Sequence, residues 1–133
     1  MFKRIADCHN VADMRSLAKA RLPNAIFHYI DGGSDDEVTY RRNTESFESR
    51  DLVPNVLRNV EQVDMSVSIL GCKLDLPVFC SPTALQRLFH YQGERAVAKA
   101  AEKYGTMFGL SSLGTVSLEE IDRASTSPKM FQF

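Results

Sequence analysis

Short apolar runs alternate with helical patterns through the second half of this chain, and that alternation restricts its fold more than any other feature. LPVFCSP is a compact apolar run suited to a strand buried on both faces. GERAVAKAAEKYG follows as a helix, with Ala96, Val97, Ala100 and Ala101 expected on one side and Gly105 as its stop. TMFGLSS reads as a second buried strand. Ser117 then opens SLEEIDRA with Glu120 at the capping-box position, and PKMFQF begins a third strand. Strand, helix, strand, helix, strand implies right-handed βαβ units and a parallel sheet. About two and a half such units are present, whereas a closed (β/α)8 barrel needs eight and roughly 250 residues. The 133 residues therefore fit either a small open sheet or the front portion of a barrel.

The first half has another texture. Asn10 reads as an N-cap, and Val11, Met14, Leu17 and Ala18 recur after it at helical spacing. Pro23 suits the first turn of a second helix. Ala25, Ile26, Tyr29 and Ile30 give that helix an apolar face, and Gly32-Gly33 is expected to end it at positive φ. Ser34 is expected to cap a third helix, with Asp35, Asp36 and Glu37 in its first turn, where the helix dipole favours negative charge. This favours a structural role for the acidic run over metal binding. From Leu52 the pattern changes again. VDMSVSIL alternates, with Val63, Met65, Val67 and Ile69 on one side, and GCKL turns into a short return strand. The layout predicted is one incomplete domain: helices over 1–50, a hairpin region over 51–76, and βα units over 77–133.

Charge and cysteine usage exclude several functions. Lys and Arg number 16 against 17 Asp and Glu, with no basic stripe, which argues against a nucleic-acid binder. Cys8, Cys72 and Cys80 form no CxxC pair, as expected of reduced thiols in a cytosolic setting. His9, His28 and His90 show no ligand spacing with them, so no metal site is expected. MFKRIADCHN lacks the apolar core of a signal peptide. No apolar run approaches the ~20 residues that span a bilayer. A peripheral membrane contact made elsewhere in a longer protein stays open.

In parallel α/β folds, ligands gather at the carboxyl ends of the strands. Three stretches occupy such ends. SPTALQR offers Pro82 and Thr83, LSSLGT offers Ser111 and Ser112, and the third strand offers Gln132. A carboxamide supplies both donors and an acceptor, so the set suits a planar heterocycle with adjacent carbonyl and N–H groups. Taken singly, each is weak, because Ser and Thr at loop starts usually cap helices or satisfy backbone. There is no Gly-x-Gly-x-x-Gly, no Walker loop and no nucleophile elbow. FHYIDGGSDDE adds one more candidate, Tyr29, set just before a glycine break.

LPNAIFHYIDGGSDDEVTYRRN, LPVFCSPTALQR, GERAVAKAAEKYGTMFGLSSLGT, SLEEI and MFQF occur here in a characteristic order and spacing. Together they resemble the N-terminal third of the FMN-dependent α-hydroxy acid dehydrogenases and oxidases, a family that includes glycolate oxidase, mandelate dehydrogenase and quinone-linked L-lactate dehydrogenase. The resemblance implies an α/β fold, the N-terminal part of a (β/α)8 TIM barrel preceded by helices and a β-hairpin. It implies FMN as cofactor, a small 2-hydroxy acid as substrate and a homo-oligomeric full-length protein, and it leaves the electron acceptor open. FHYIDGG looks most like the lactate dehydrogenase branch. By the same resemblance, Tyr29 binds the substrate through its hydroxyl. Pro82, Thr83 and Ala84 match a loop lying against the isoalloxazine ring. Ser111 matches a serine that bonds flavin, Gln132 a glutamine that reads the pyrimidine edge of the ring, and Leu113 a position that shapes the substrate pocket. His90-Tyr91 departs from the commoner His-Pro. The family's general base, a histidine in a Ser-x-His-Gly-Gly-Arg segment, is not matched by His9, His28 or His90. Coding sequence continuing in frame to such a segment is therefore expected. The rival reading is a non-catalytic interaction or regulatory protein derived from such an enzyme.

Overall fold

The structure is a computed structural model that describes residues 4–133. Its contacts divide the chain into two compact units, Met1–Asn59 and Val60–Phe133.

In the first unit, α1 (Val11–Arg21) starts where the Asn10 side chain accepts from the Asp13 amide at 2.8 Å. A second helix, α2 (Asn24–Asp31), follows Pro23, which has no N–H to leave unpaired at a helix start. The two helices pack together, each burying one residue, Leu17 and Phe27. Arg15 spans them as a fork, with Nε donating to Asp31 Oδ1 at 2.5 Å and Nη2 to Oδ2 at 2.8 Å.

The break after α2 differs from expectation. Gly32 leaves the helix in an extended conformation, φ −80°, and Gly33 is not at positive φ either. Both glycines answer crowding. A Cβ on Gly32 would lie 3.0 Å from the His28 carbonyl oxygen, and one on Gly33 would lie 3.1 Å from Tyr40 Cβ. Positive φ falls on Asp35 and Glu37 instead. The third helix, α3 (Val38–Glu48), begins after Glu37, so Ser34 does not cap it and the acidic run lies in the turn before it. The physical reason is a competing local closure. The Glu37 amide donates to the Ser34 carbonyl, and the Glu37 carboxylate accepts from the Gly33 amide at 3.0 Å.

The second unit opens with a hairpin of β1 (Val67–Ile69) and β2 (Cys72–Leu74), antiparallel with Val67 opposite Leu74. Leu70 and Gly71 between them are both at positive φ, as a tight two-residue turn demands. Val63 and Met65, expected on the strand, precede it and are exposed. Beyond the hairpin come α4 (Glu94–Lys103), β3 (Phe108–Leu110), α5 (Leu118–Ala124) and β4 (Lys129–Phe131). Strands β3 and β4 pair in parallel, Phe108 with Lys129 and Leu110 with Phe131. Ala98, Ala101, Phe108, Leu110, Val116 and Ile121 form the core, with Cys80 and Val97 packed against it. The Ser117 hydroxyl caps α5 by accepting from the Glu120 amide, and Gly105 ends α4 at φ +61°.

Two expectations are corrected here. LPVFCSP is not a regular buried strand: only Cys80 makes a bridge, parallel to Phe108, while Val78 and Phe79 are exposed. Among the described residues it has a neighbour on one side only, and Pro77 and Pro82, which lack an N–H, bracket it. The buried face of α4 is also rotated from the one expected. It carries Glu94, Ala98 and Ala101, and Ala100 is exposed, because the helix leans on both β3 and α5. No helix among the described residues is long and apolar enough to cross a membrane.

Candidate functional site

Parallel pairing brings the carboxyl ends of the Cys80 segment, β3 and β4 to one pole of the second unit. The ladder holds each in register: the Gly109 amide donates to the Cys80 carbonyl at 2.8 Å, and the Gln132 amide donates to the Leu110 carbonyl at 2.9 Å. That last bond sets Gln132 beside Ser111, whose Oγ donates to Gln132 Oε1 at 3.1 Å. Ser111 is buried, and its oxygen also accepts from the Leu113 amide at 3.2 Å. Gln132 is exposed, and its Nε2 has no partner among the described residues. The pair thus presents two amide donors outward from an anchored oxygen.

The loop after Cys80 lies against the same pole. Pro82 sits over Gly109, where a Cβ would come within 2.8 Å of Pro82 Cδ and 2.9 Å of the Cys80 carbonyl oxygen. Only glycine lets the loop come this close. Thr83 is half-buried, with a long 3.5 Å bond from its hydroxyl to the Ser81 carbonyl, and its own carbonyl accepts from Gln86 Nε2 at 3.2 Å. Ala84 leads into Leu85, whose amide donates to the Leu113 carbonyl at 3.0 Å. Pro82, Thr83, Ala84, Ser111 and Gln132 are therefore gathered at one pole, with Ser112 and Leu113 exposed beside them. A cleft of about 470 Å³ on the α4 side of the loop is lined by Thr83, Gln86, His90 and Val97 but not by Ser111 or Gln132. Tyr29 occupies the last turn of α2 in the first unit and is 53% exposed.

Glu94 is the residue that sequence reasoning missed. It is fully buried at the start of α4, and its two oxygens accept from the Thr115 amide and the Thr115 hydroxyl, each at 2.7 Å. Burial works against its charge. The bonds from Thr115, with the backbone amides of Glu94 and Gln86, outweigh burial and hold the carboxyl below its ordinary range. The signal was present in the spacing: Glu94, Ala98 and Ala101 recur at i, i+4, i+7, which puts an acid at the head of an apolar stripe.

Residues 18–133 match the family model described as FMN-dependent dehydrogenase. The chain belongs to this family. Glycolate oxidase 1 of Oryza sativa subsp. indica is 40% identical over 119 residues, 90% of this chain and 32% of that protein. L-lactate dehydrogenase of Vibrio parahaemolyticus is 41% identical over 120 residues, 90% of this chain and 32% of that protein. Among solved structures, one from Pediococcus acidilactici described as a lactate oxidase superposes with a TM-score of 0.86 at 33% identity, covering 96% of this chain and 36% of the other. A mandelate oxidase superposes with a TM-score of 0.83 at 37% identity, covering 92% and 37%. The chain thus spans about a third of the length of the curated relatives it matches. The superpositions agree with the fold read from the sequence, helices and a hairpin followed by the first βα units of a (β/α)8 barrel.

Proposed function

We propose that the protein carrying this chain is an FMN-dependent oxidoreductase that converts small (S)-2-hydroxy acids to 2-oxo acids, with L-lactate as its substrate. The observation that carries the reading is the Ser111–Gln132 pair, 3.1 Å apart, beside the Pro82–Ala84 loop at the carboxyl pole of parallel strands. The donor set fits the cofactor. A planar ring with carbonyl and N–H groups along one edge would meet the exposed carboxamide of Gln132, and the close approach over Gly109 seats Pro82, at the head of the 82–84 loop, directly against β3. Held by these residues, FMN would supply the redox chemistry, as acceptor of the hydride equivalent from the substrate carbon.

The residues present have separate tasks. Gln132 Nε2 would donate to a ring carbonyl, and Ser111 fixes the carboxamide by donating to its oxygen. The Thr83 hydroxyl, held only by a 3.5 Å bond, turns to the ligand. The Tyr29 hydroxyl binds the substrate carboxylate from the exposed last turn of α2. Lactate as the acid rests on FHYIDGG, and the named relatives support 2-hydroxy acids as a class. Cytoplasmic residence belongs to the same reading, supported by the free thiols of Cys8, Cys72 and Cys80.

The test is a titration of FMN into the protein carrying this chain, followed by anaerobic addition of L-lactate, glycolate or mandelate. Bleaching of the flavin by L-lactate ahead of the other two is expected. Bleaching by another of these acids alone would retire lactate and keep the class; no flavin uptake would overturn the reading.

A further inference from the structure

Among the described residues the carboxylate of Glu94 has no cation partner, and helix capping does not by itself require a charge buried so completely. Its partner explains the placement. Thr115 lies in the loop after β3, the loop that carries Ser111 and Leu113. Its hydroxyl donates to Glu94 Oε2 and accepts from the Arg87 amide at 3.3 Å, in the turn that follows Pro82–Ala84. A continuous relay therefore joins the start of α4, the loop after β3 and the loop after Cys80. Two further contacts reinforce it. The Leu85 amide donates to the Leu113 carbonyl, and Gly93, at φ +52°, lies so close to Arg87 that a Cβ would be 2.6 Å from its Cγ.

We infer that Glu94 is a positioning residue for the flavin site, holding the 82–88 and 111–115 loops in one fixed relation through Thr115. The inference rests on the flavin reading above. Glu94 touches no ligand; it sets the spacing between the Pro82–Ala84 surface and Ser111, and with Ser111 the direction of the Gln132 carboxamide. Ligand contacts tolerate displacements of only a fraction of an ångström, so a relaxed relay weakens binding without unfolding the chain.

The experiment uses Glu94→Gln, Thr115→Val and Thr115→Ser in the protein carrying this chain. Gln keeps the volume but replaces one acceptor oxygen with a donor, so the Thr115 amide keeps its acceptor and the Thr115 hydroxyl loses the one it donates to. Val removes the hydroxyl, which takes the acceptor from the Arg87 amide and the hydroxyl bond from Glu94 Oε2, while the residue 115 amide still donates to Oε1. Each is expected to raise the Kd for FMN about tenfold, the double variant no more than either alone, and Thr115→Ser not at all. In the flavin-free protein, amide hydrogen exchange should quicken across 83–88 and 111–116 in Glu94→Gln and Thr115→Val. If Glu94→Gln fails to fold, Thr115→Val carries the test. Wild type that takes up no FMN sinks the flavin reading, and this inference with it. Wild type that binds FMN while both variants bind as tightly, even with faster exchange, sinks this inference alone. Additive losses of affinity in the double variant would also overturn it.

Discussion

Gly109→Ala is the substitution that most directly tests how the pole is packed. The backbone at Gly109 is not in the left-handed region, so alanine itself is permitted there. The cost is steric. The new methyl would stand 2.8 Å from Pro82 Cδ, 2.9 Å from Pro82 Cγ and 2.9 Å from the Cys80 carbonyl oxygen. Carbon atoms rest about 3.5–4.0 Å apart, so the overlap with Cδ is at least about 0.7 Å. None of the three atoms yields easily. The Cys80 oxygen accepts from the Gly109 amide, and the other two belong to a closed ring. Overpacking of this kind costs about 1–3 kcal/mol, and ~2 kcal/mol is expected here. Gly71→Ala is the matched control. It sits at φ +77° with nothing within 4 Å of a Cβ, so it pays backbone strain alone, about 1 kcal/mol. Urea unfolding measures both losses, and FMN titration separates them further. Gly109→Ala pushes Pro82 off β3 and weakens flavin binding, whereas Gly71→Ala leaves it unchanged. A Gly109→Ala protein with wild-type stability and wild-type FMN affinity would refute the argument.

Tyr29→Phe removes one hydroxyl and little volume; kcat/KM should fall by ~1.5–3 kcal/mol, about ten- to a hundredfold, with flavin content intact, and unchanged steady-state constants would return Tyr29 to a structural role. Gln132→Leu should weaken FMN binding or shift the flavin reduction potential in a folded protein, and Ser111→Ala should act in the same direction to a smaller extent; equilibrium titration and spectroelectrochemistry check both. Glu94 is held below the 4.5 of an ordinary glutamate, so it stabilises the fold fully above that value, and the contribution is lost as pH falls through its depressed folded-state pKa. Acid unfolding of Glu94→Gln should therefore show a shallower loss of stability below pH 4.5 than wild type, and parallel curves would contradict the assignment.

The order of elements was legible because helical and strand periods differ and because the punctuation is local. Asn10, Ser117 and Gly105 act where the sequence placed them, since a cap needs only its own few residues. Four features were not legible, each for a non-local or competing reason. The turn over Asp35 and Glu37 exists because the Glu37 side chain reaches back to the Gly33 amide, which the dipole argument alone does not anticipate. LPVFCSP has strand composition, but ladder formation depends on neighbours, and Cys80 alone finds one. At the candidate site, Ser111, Gln132 and the Pro82 loop could be named from their places at strand ends. The Ser111–Gln132 bond depends on register across 21 residues. Glu94 was hidden by its charge, which reads as a solvated helix start until Thr115 is seen opposite it.

The fork between Arg15 and Asp31 also works as a rotational lock. Successive side chains on a helix are turned by about 100°, so Tyr29 and Asp31 project roughly 200° apart around α2. Phe27, four residues before Asp31, shares its side and is buried. With Asp31 drawn to α1 by two bonds, a roll of α2 about its long axis is opposed, and Tyr29 is carried to the far side. A tyrosine just before a glycine break is thereby aimed outward by an arginine fourteen residues earlier. The compass bearing of its hydroxyl is a property of α1 as much as of the turn that holds it.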